Sequence, residues 1–461
     1  MEYATALDVG DRKRRQGGIN EDSVAVTLVD EGHRDTRRHS GVFVVADGAG
    51  GTQAGDIASY VATVEVSRRL SNRLWNERRL AEIADAVGEG ERDLELTDGV
   101  LGDPLADASD ATVQAAIEAA VEAAHTRIVE VIGELDLDSA YTTVVVAVVA
   151  GDRLHYGWVG DSRAYVVNLG DREPGQRVTR LTSDHSEVER LLEQDAIDEV
   201  EAHVHRHGNR ITRALGGTRT EDPALSTISV DTASVPLFGD DVLVLTSDGL
   251  IDAYTGAPKL HREYEDADDT DAVAERILEN AVTDDEIGEV VRETESLSAA
   301  ADRFVELSNE RGGKDNLSLV LARDETLPPG PAGSLPIRSY DPDPDEVADW
   351  DTVKQFPDTG SGEADGRGTP DRPETAAGSE STSSEPGSRA SGTDGQSRSE
   401  RSRSEESERS RTDDRARGDD RSRVDDQPQR DDQSRADDPA THIHRRGRET
   451  PSDETDADES G

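Results

Sequence analysis

The sequence predicts an α+β fold, antiparallel sheets with helices packed outside them. Three observations carry this. Strand-like runs come in groups, helical patterns are inserted between those groups, and the periodicity stops near residue 323. Grouped strands suit antiparallel sheets, whereas a doubly wound parallel sheet needs strands and helices in strict alternation.

"SVAVTLVD" (23–30) alternates apolar and polar residues as a half-buried strand does, and "GVFVVA" (41–46) reads as its partner. "TQAGDIASYVATVEVSRRL" (52–70) has apolar residues at helical spacing. A loop-rich stretch is expected over 88–110. The strongest helix is Ala111–Leu135, with Asp110 as its cap. "YTTVVVAVVA" reads as a buried strand, and "RLHYGWVGDSRAYVVN" as two strands joined in a tight hairpin at "GDS". A short helix at "SEVERLLEQ", a strand at "DVLVLTSDGL", a helix at "SLSAAADRFVELSNERG" and a last strand at "DNLSLVLAR" complete the core. This places one domain at 1–325.

Residues 326–461 read as a long disordered acidic tail rich in Ser, Arg and Asp, opened by the linker "ETLPPGPAGSLP". Within it, Val347, Trp350, Val353 and Phe356 have near-helical spacing: either a docking helix or, more plainly, isolated apolar residues in a loose chain. "DD" recurs every six residues from 413 to 437. That period fits two turns of polyproline II and not an α-helix, and a solvated linker is its simplest meaning.

Composition narrows the function. Of 461 residues, 101 are Asp or Glu and 51 are Lys or Arg, a formal net charge of −50. Only four are lysines: Lys13, Lys259, Lys314 and Lys354. Acidity with scarce lysine and few aromatics suggests a cytosol of molar salt and a haloarchaeal source, since charge repulsion is then screened within about 3 Å. It argues against nucleic acid as a partner, which demands clustered positive charge. The chain has no cysteine, which removes disulfides, thiolate metal sites and cysteine nucleophiles. The first residues contain no apolar signal segment, and no apolar run approaches the ~20 residues of a membrane helix. A cytoplasmic protein is expected.

The chemistry lies where strands end. "VVADGAGG" (44–51) closes a buried strand with a carboxylate, Asp47, and then a loop almost without side chains. Asp248 in "LTSDGL" repeats the pattern. Asp315 precedes the last strand, Glu21 and Asp22 precede an early one, and Asp161 sits at "GDS". One acid at a strand end is ordinary. Five such positions suggest carboxylates converging on one edge of a sandwich. Crowded carboxylates repel, and hard divalent cations such as Mg²⁺ or Mn²⁺ relieve them. Two such ions can activate water and clamp a phosphoryl group.

"NEDS", "VVADGAGG", "YTTVVVAV", "GWVGDSRAY", "TSDHS", "NRITRALGG", "LTSDGL" and "GGKDNLSLV" occur in that order between residues 20 and 320. The set resembles the ordered motifs of the metal-dependent protein phosphatases of type 2C, over roughly residues 1–323. The resemblance implies a four-layer α-β-β-α sandwich with two metals, Mn²⁺ or Mg²⁺, at one end. It implies that Asp47 bridges both ions, that Glu21 and the Gly48 carbonyl serve one, and that Asp248 and Asp315 serve the other. Asp22 and Asn316 are supporting neighbours, and Asp161 and Asp252 match the position of a weaker third metal. A metal-bridging hydroxide then hydrolyses phosphoserine or phosphothreonine with no phosphoenzyme. The implied partners are phosphorylated proteins, a cytoplasmic Ser/Thr kinase and its substrates; the tail, Ser- and Arg-rich over 379–411, is separately expected to recruit partners or to regulate.

Two positions depart from the family's pattern. Ala49 stands where many relatives have a histidine, for which His185 is the nearest substitute, although ordering its own loop is its simpler role. Gly17 stands where a phosphate-binding arginine is common. Arg14 and Arg15 in "GDRKRRQGG" are the candidates to replace it, with a solvated basic turn as the equal alternative. Thr142 and Thr143 are read as strand packing, and Arg163 as a partner for a core carboxylate. His203, His205 and His207 alternate as on one strand face, which suggests either a transition-metal site or, as the resemblance favours, a flap beside the active site.

Overall fold

The computed structural model describes residues 1–33, 36–49, 54–72, 109–267 and 269–340, all within the first of two units, Met1–Gly368. Gly50, Gly51, the 88–108 stretch, the Val347–Phe356 segment and the rest of the expected tail lie outside the described residues.

The strands are β1 Glu2–Asp8, β2 Ser23–His33, β3 Thr36–Ala46, β4 Gly48–Ala49, β5 Ser139–Thr142, β6 Val144–Ala150, β7 Arg153–Val159, β8 Arg163–Asn168, β9 Val178–Arg180, β10 Leu215–Thr218, β11 Asp231–Pro236, β12 Asp241–Thr246 and β13 Leu317–Arg323. They form two five-stranded antiparallel sheets, β11-β7-β6-β3-β2 and β1-β13-β12-β8-β9, with a small sheet β10-β5-β4 beside the first. The helices are α1 Asp11–Arg15, α2 Gly55–Ser71, α3 Asp110–Glu134, α4 Glu187–Glu193, α5 Glu199–Ala202, α6 Ala257–Glu265, α7 Asp271–Asn280, α8 Asp284–Glu293 and α9 Leu297–Arg311.

Side-chain alternation builds the layers. On β6, Val144, Val146 and Val148 pack with Ile117, Val121 and Val66 of α3 and α2. Their neighbours Val145, Ala147 and Val149 face the other way and meet Leu243, Leu245 and Val320 of the second sheet. That sheet turns Val244, Leu319 and Leu321 outward onto Phe304 and Ile287 of α9 and α8. The order is therefore helix, sheet, sheet, helix. Because β6 is covered on both faces, its sequence is apolar throughout rather than alternating.

Three local expectations need correction. The cap of α3 is Ser109, whose hydroxyl accepts from the Thr112 N–H, while Asp110 lies in the first turn and pairs with Arg153. "YTTVVVAVVA" breaks at Thr143 into β5 and β6, which enter different sheets. "GDS" is not a hairpin: β7 and β8 belong to the two opposed sheets, so the segment 160–162 crosses from one to the other.

The ordered chain also runs past the expected boundary at 325. Arg338 is 3 % exposed and makes a 2.6 Å ion pair with Asp241. Tyr340 sets its ring edge-on to Trp158 at 4.8 Å. Residues 326–340 were read as tail because Pro, Gly and Ser dominate them. Their anchors are isolated side chains and backbone bonds, such as the Gly330 N–H to Asp240 and the Pro328 carbonyl to the Gly239 N–H, without periodicity.

Candidate active site

Topology brings the carboxylates together. In the first sheet Ser23 pairs with Ala46 and Val144 with Val159, so the start of β2 and the ends of β3 and β7 share one edge. In the second, Thr246 pairs with both Arg163 and Leu319, so the end of β12 lies beside the starts of β8 and β13. Asp22, Asp47, Asp161, Asp248 and Asp315 are the residues flanking those strand ends.

Their electrostatics show how closely they are set. Burial holds the Asp47 carboxyl well above the usual carboxylate range, and the charges of Asp22, Asp315 and Asp161 add to it. Burial does the same to Asp248, reinforced by Asp47, Asp252 and Asp315. Asp161 is also raised well above its ordinary value, by burial and then by Asp248, Asp184 and Asp252. Burial lifts Asp22 to about 7 against the hydrogen bonds of Ser247 and Ser318. One oxygen each of Asp22, Asp161 and Asp248 is buried without a hydrogen-bond partner. A fold keeps such atoms only where something else satisfies them. Five clustered acidic groups, three of them with an unmet hard-oxygen acceptor, fit divalent cations of the Mg²⁺ or Mn²⁺ kind.

The surroundings hold these groups in place. The Asp47 N–H donates to Thr143 Oγ1 (3.1 Å), its carbonyl accepts from Thr142 Oγ1 (2.8 Å), and Thr143 Oγ1 meets Ser162 Oγ at 2.7 Å. The two threonines, read from sequence as strand packing, thus fix the backbone of Asp47. Ser247 Oγ donates to Asp22 Oδ2 at 2.9 Å and accepts from the Ser318 N–H. Asn316 accepts from the Glu21 N–H and donates to the carbonyls of Val9 and Ile19, tying the "NED" segment to β13. The glycine after Asp47 has a structural reason. A Cβ on Gly48 would lie 2.2 Å from the Gly55 carbonyl oxygen, and one on Gly55 would lie 2.7 Å from the Gly48 oxygen and 2.9 Å from Glu21 Oε1. The Gly48 carbonyl and the Glu21 carboxylate therefore flank one small space, which side chains at either glycine would fill.

The basic residue of "GDRKRR" that reaches the centre is Lys13. Its Nζ lies 2.7 Å from Asp315, 3.0 Å from Glu21 and 2.8 Å from Asn316 Oδ1. Arg14 is half-exposed and pairs with Asp8 and Asp11; Arg15 is 75 % exposed and pairs with Asp11. Both pair with acids on or just before α1, as the solvated basic turn read from sequence does. A second lysine, Lys314, bonds Asp252 at 3.2 Å and Asn209 at 2.9 Å. Sequence reading missed both lysines. The available signal was their rarity: two of only four lie here. It also missed Asp56, which opens α2 beside Gly55 with a buried unpartnered oxygen.

His185 is fully buried, accepts the Gly160 N–H at Nδ1 and meets Asp231 at 3.1 Å through Nε2. Both ring nitrogens are engaged in holding the Gly160–Asp161 crossover, as a loop-ordering role requires. Arg163 pairs with Asp184 at 2.7 Å. The alternate histidines do not share a strand face, since α5 and successive turns run through 199–208. A cavity of about 1180 Å³ opens from Asp161, Asp248 and Asp252, walled by α4, α5 and the start of α8.

Comparison with known proteins gives the family. The family described as Protein phosphatase 2C matches over residues 9–281. The serine/threonine phosphatase stp of Listeria innocua is 27 % identical over 289 residues, 63 % of this chain and 86 % of that protein. Protein phosphatase PhpP of Streptococcus pneumoniae is 25 % identical over 325 residues, 70 % of this chain and 96 % of that one. Among solved structures, serine/threonine phosphatase Stp1 of Staphylococcus aureus is 23 % identical, with a TM-score of 0.46, covering 70 % of this chain and 95 % of that one.

Proposed function

The chain belongs to the protein phosphatase 2C family, and from that premise we propose that it removes phosphate from phosphoserine and phosphothreonine in proteins, using two divalent ions. The observation that carries this is the meeting of five aspartates from two opposed sheets, three with a buried unpaired oxygen.

We assign Asp47 to both ions, Glu21 and the Gly48 carbonyl to one, and Asp248 and Asp315 to the other. Asp22 supports Asp248 through Ser247, and Asp161 and Asp252 are assigned to a weaker third ion. When bound, Mn²⁺ or Mg²⁺ supplies a water of lowered pKa and positive charge for the phosphoryl oxygens. The chain's own groups do the rest. Thr142, Thr143 and Asn316 fix the backbones that carry the acids. Lys13 brings the positive charge that Arg14 and Arg15 do not, on the rim where a phosphate would approach. The proton for the departing alcohol does not come from His185, which is buried with both nitrogens engaged.

The catalytic domain is placed in 1–325, with residues 326–340 packed onto it, and the tail beyond is assigned to recruitment of partners such as a Ser/Thr kinase and its substrates. Composition supports a cytoplasm of molar salt and a haloarchaeal source, although the relatives compared above are bacterial. No helix among the described residues is long and apolar enough to cross a membrane.

The test is phosphate release from a phosphothreonine peptide by the full chain in molar KCl, with Mn²⁺, Mg²⁺ or EDTA. Turnover that needs the ion, and is lost in Asp47→Asn/Asp248→Asn, supports the reading. Folded, metal-loaded protein without turnover refutes it.

A further inference from the structure

We propose that Glu201, His205 and His261 form a second metal site, taking one divalent transition-metal ion of the zinc class, distinct from the carboxylate centre. Ligand atoms of the three lie within 4.8 Å of one another. Two imidazoles and one carboxylate are a zinc-type donor set, whereas Mg²⁺ prefers oxygen alone.

The independent observation is His261. It is 2 % exposed, and neither ring nitrogen has a hydrogen-bond partner. An imidazole buried that way leaves both polar atoms unmet. Its Nδ1 faces Glu201 Oε1 at 4.0 Å and its Nε2 faces Glu265 Oε2 at 3.7 Å. Both gaps are too long for hydrogen bonds. An ion bonded at about 2.0 Å to each of two ligands, at a tetrahedral angle, sets them about 3.3 Å apart. The Nδ1–Oε1 gap therefore closes only slightly on binding. The opposite nitrogen then carries the proton and points it at Glu265, the carboxylate–histidine–metal relay that orients many ligating imidazoles.

His205 completes the set. Its ring lies 5.0 Å from that of His261. Its Nδ1 takes a long 3.3 Å contact from the His207 N–H, leaving Nε2 as the ligand atom. Ligation moves the ring proton to Nδ1 and gives up that contact. Val204 and Leu260, the chain neighbours of His205 and His261, are buried in one apolar cluster with Ile277.

The site joins two elements that matter to the groove. Glu201 belongs to α5, which walls the cavity running to Asp161 and Asp248, and His261 belongs to α6. The Tyr264 hydroxyl already donates to Asp198 at 2.7 Å across the same junction. A bound ion pins that groove wall to the body.

The experiment uses the full chain, stripped with chelator, saturated with Mg²⁺ and titrated with Zn²⁺. Bound zinc is counted after gel filtration, and Co²⁺ substitution reports tetrahedral imidazole ligation by its visible absorption. One equivalent is expected in the parent and in Asp47→Asn/Asp248→Asn, with a higher thermal midpoint in each. His205→Ala and Glu201→Gln should lose that equivalent, weakening affinity beyond the roughly 10–100-fold of an outer-shell change. His261→Gln should lose it too. His205 and Glu201 are only partly buried, so their variants keep the test open if His261→Gln misfolds. Equal zinc in parent and His205→Ala, or none in folded parent, overturns the site. Zinc lost only in the aspartate double variant assigns the ion to the carboxylate centre and overturns it as well.

Discussion

Lys13 Nζ and Asp315 Oδ1, 302 positions apart in the chain, stand 2.7 Å from each other at the edge of the carboxylate centre. Burial alone depresses the lysine's pKa, but Asp315 and Glu21 outweigh it and hold it above the ordinary value. Lys13 therefore stays charged at any working pH. Lys13→Met is expected to lower kcat/KM on a phosphothreonine peptide about 10- to 100-fold, the equivalent of losing one charge-assisted hydrogen bond. Arg14→Ala and Arg15→Ala, both surface pairs, should stay within about twofold. A loss confined to the arginine variants would return the phosphate role to them.

Asp47→Asn and Asp248→Asn should act in opposite directions on activity and stability. Each removes metal-dependent turnover. Each also removes a buried carboxyl whose ionised form is opposed by its neighbours. In EDTA the variants should be more stable than the parent by ~0.5–2 kcal/mol, the usual gain when a strained functional site is relaxed. Urea unfolding measures it, and a parent more stable than both variants would show that the carboxyls do not oppose one another.

Much of the site was legible because each aspartate follows or precedes a recognisable strand. Asp47 after "VFVVA" and Asp248 after "VLVLTS" could be placed by strand pattern alone. What sequence could not supply was direction within a five-residue helix. "DRKRR" gives four adjacent cations, and only the path of α1 beside Gly10 and Asn309 decides that Lys13 faces inward. The crossover at "GDS" was misread for a related reason. A two-strand run with a tight turn looks the same whether the strands pair or part into opposed sheets. His205 and His261 are far apart in sequence, so their meeting had no local signature.

The chain from 326 to 340 should be needed for full stability. The Arg338–Asp241 pair is buried at both ends. Removing the arginine leaves Asp241 with Asn168 and the Phe238 N–H as its remaining donors. Arg338→Ala should cost ~3–5 kcal/mol, as breaking one side of a buried pair does. A chain ending at 325 should unfold at a clearly lower urea midpoint than one ending at 340. Equal midpoints would make the segment an ornament of the surface.

Net charge of −50 makes salt the next variable. Repulsion among surface carboxylates reaches about 10 Å at 0.1 M and about 3 Å at 1 M. The thermal midpoint should rise steadily with KCl over that interval, and turnover should follow it. A midpoint independent of KCl would remove the molar-salt reading and, with it, the proposed source.

His155 gives a pH dependence that involves no metal ligand. It is 1 % exposed between β6 and β11, bonds Ser234 Oγ at 2.7 Å, and has Asp110 at 3.9 Å and Arg153 beside it. Burial pushes its pKa down to about 4, opposed by Asp110 and assisted by Arg153. In the unfolded chain it titrates near 6.5. Between those values the unfolded state holds the extra proton, so stability rises with pH. The contribution is complete above about 6.5 and drains away as pH falls toward 4. His155→Gln keeps the shape but cannot take the proton. Other groups titrate in the same window, so the informative quantity is the difference between parent and variant in urea stability at pH 7 and pH 5. The parent should lose more on acidification. Parallel losses would mean that His155 is protonated in the folded state without penalty.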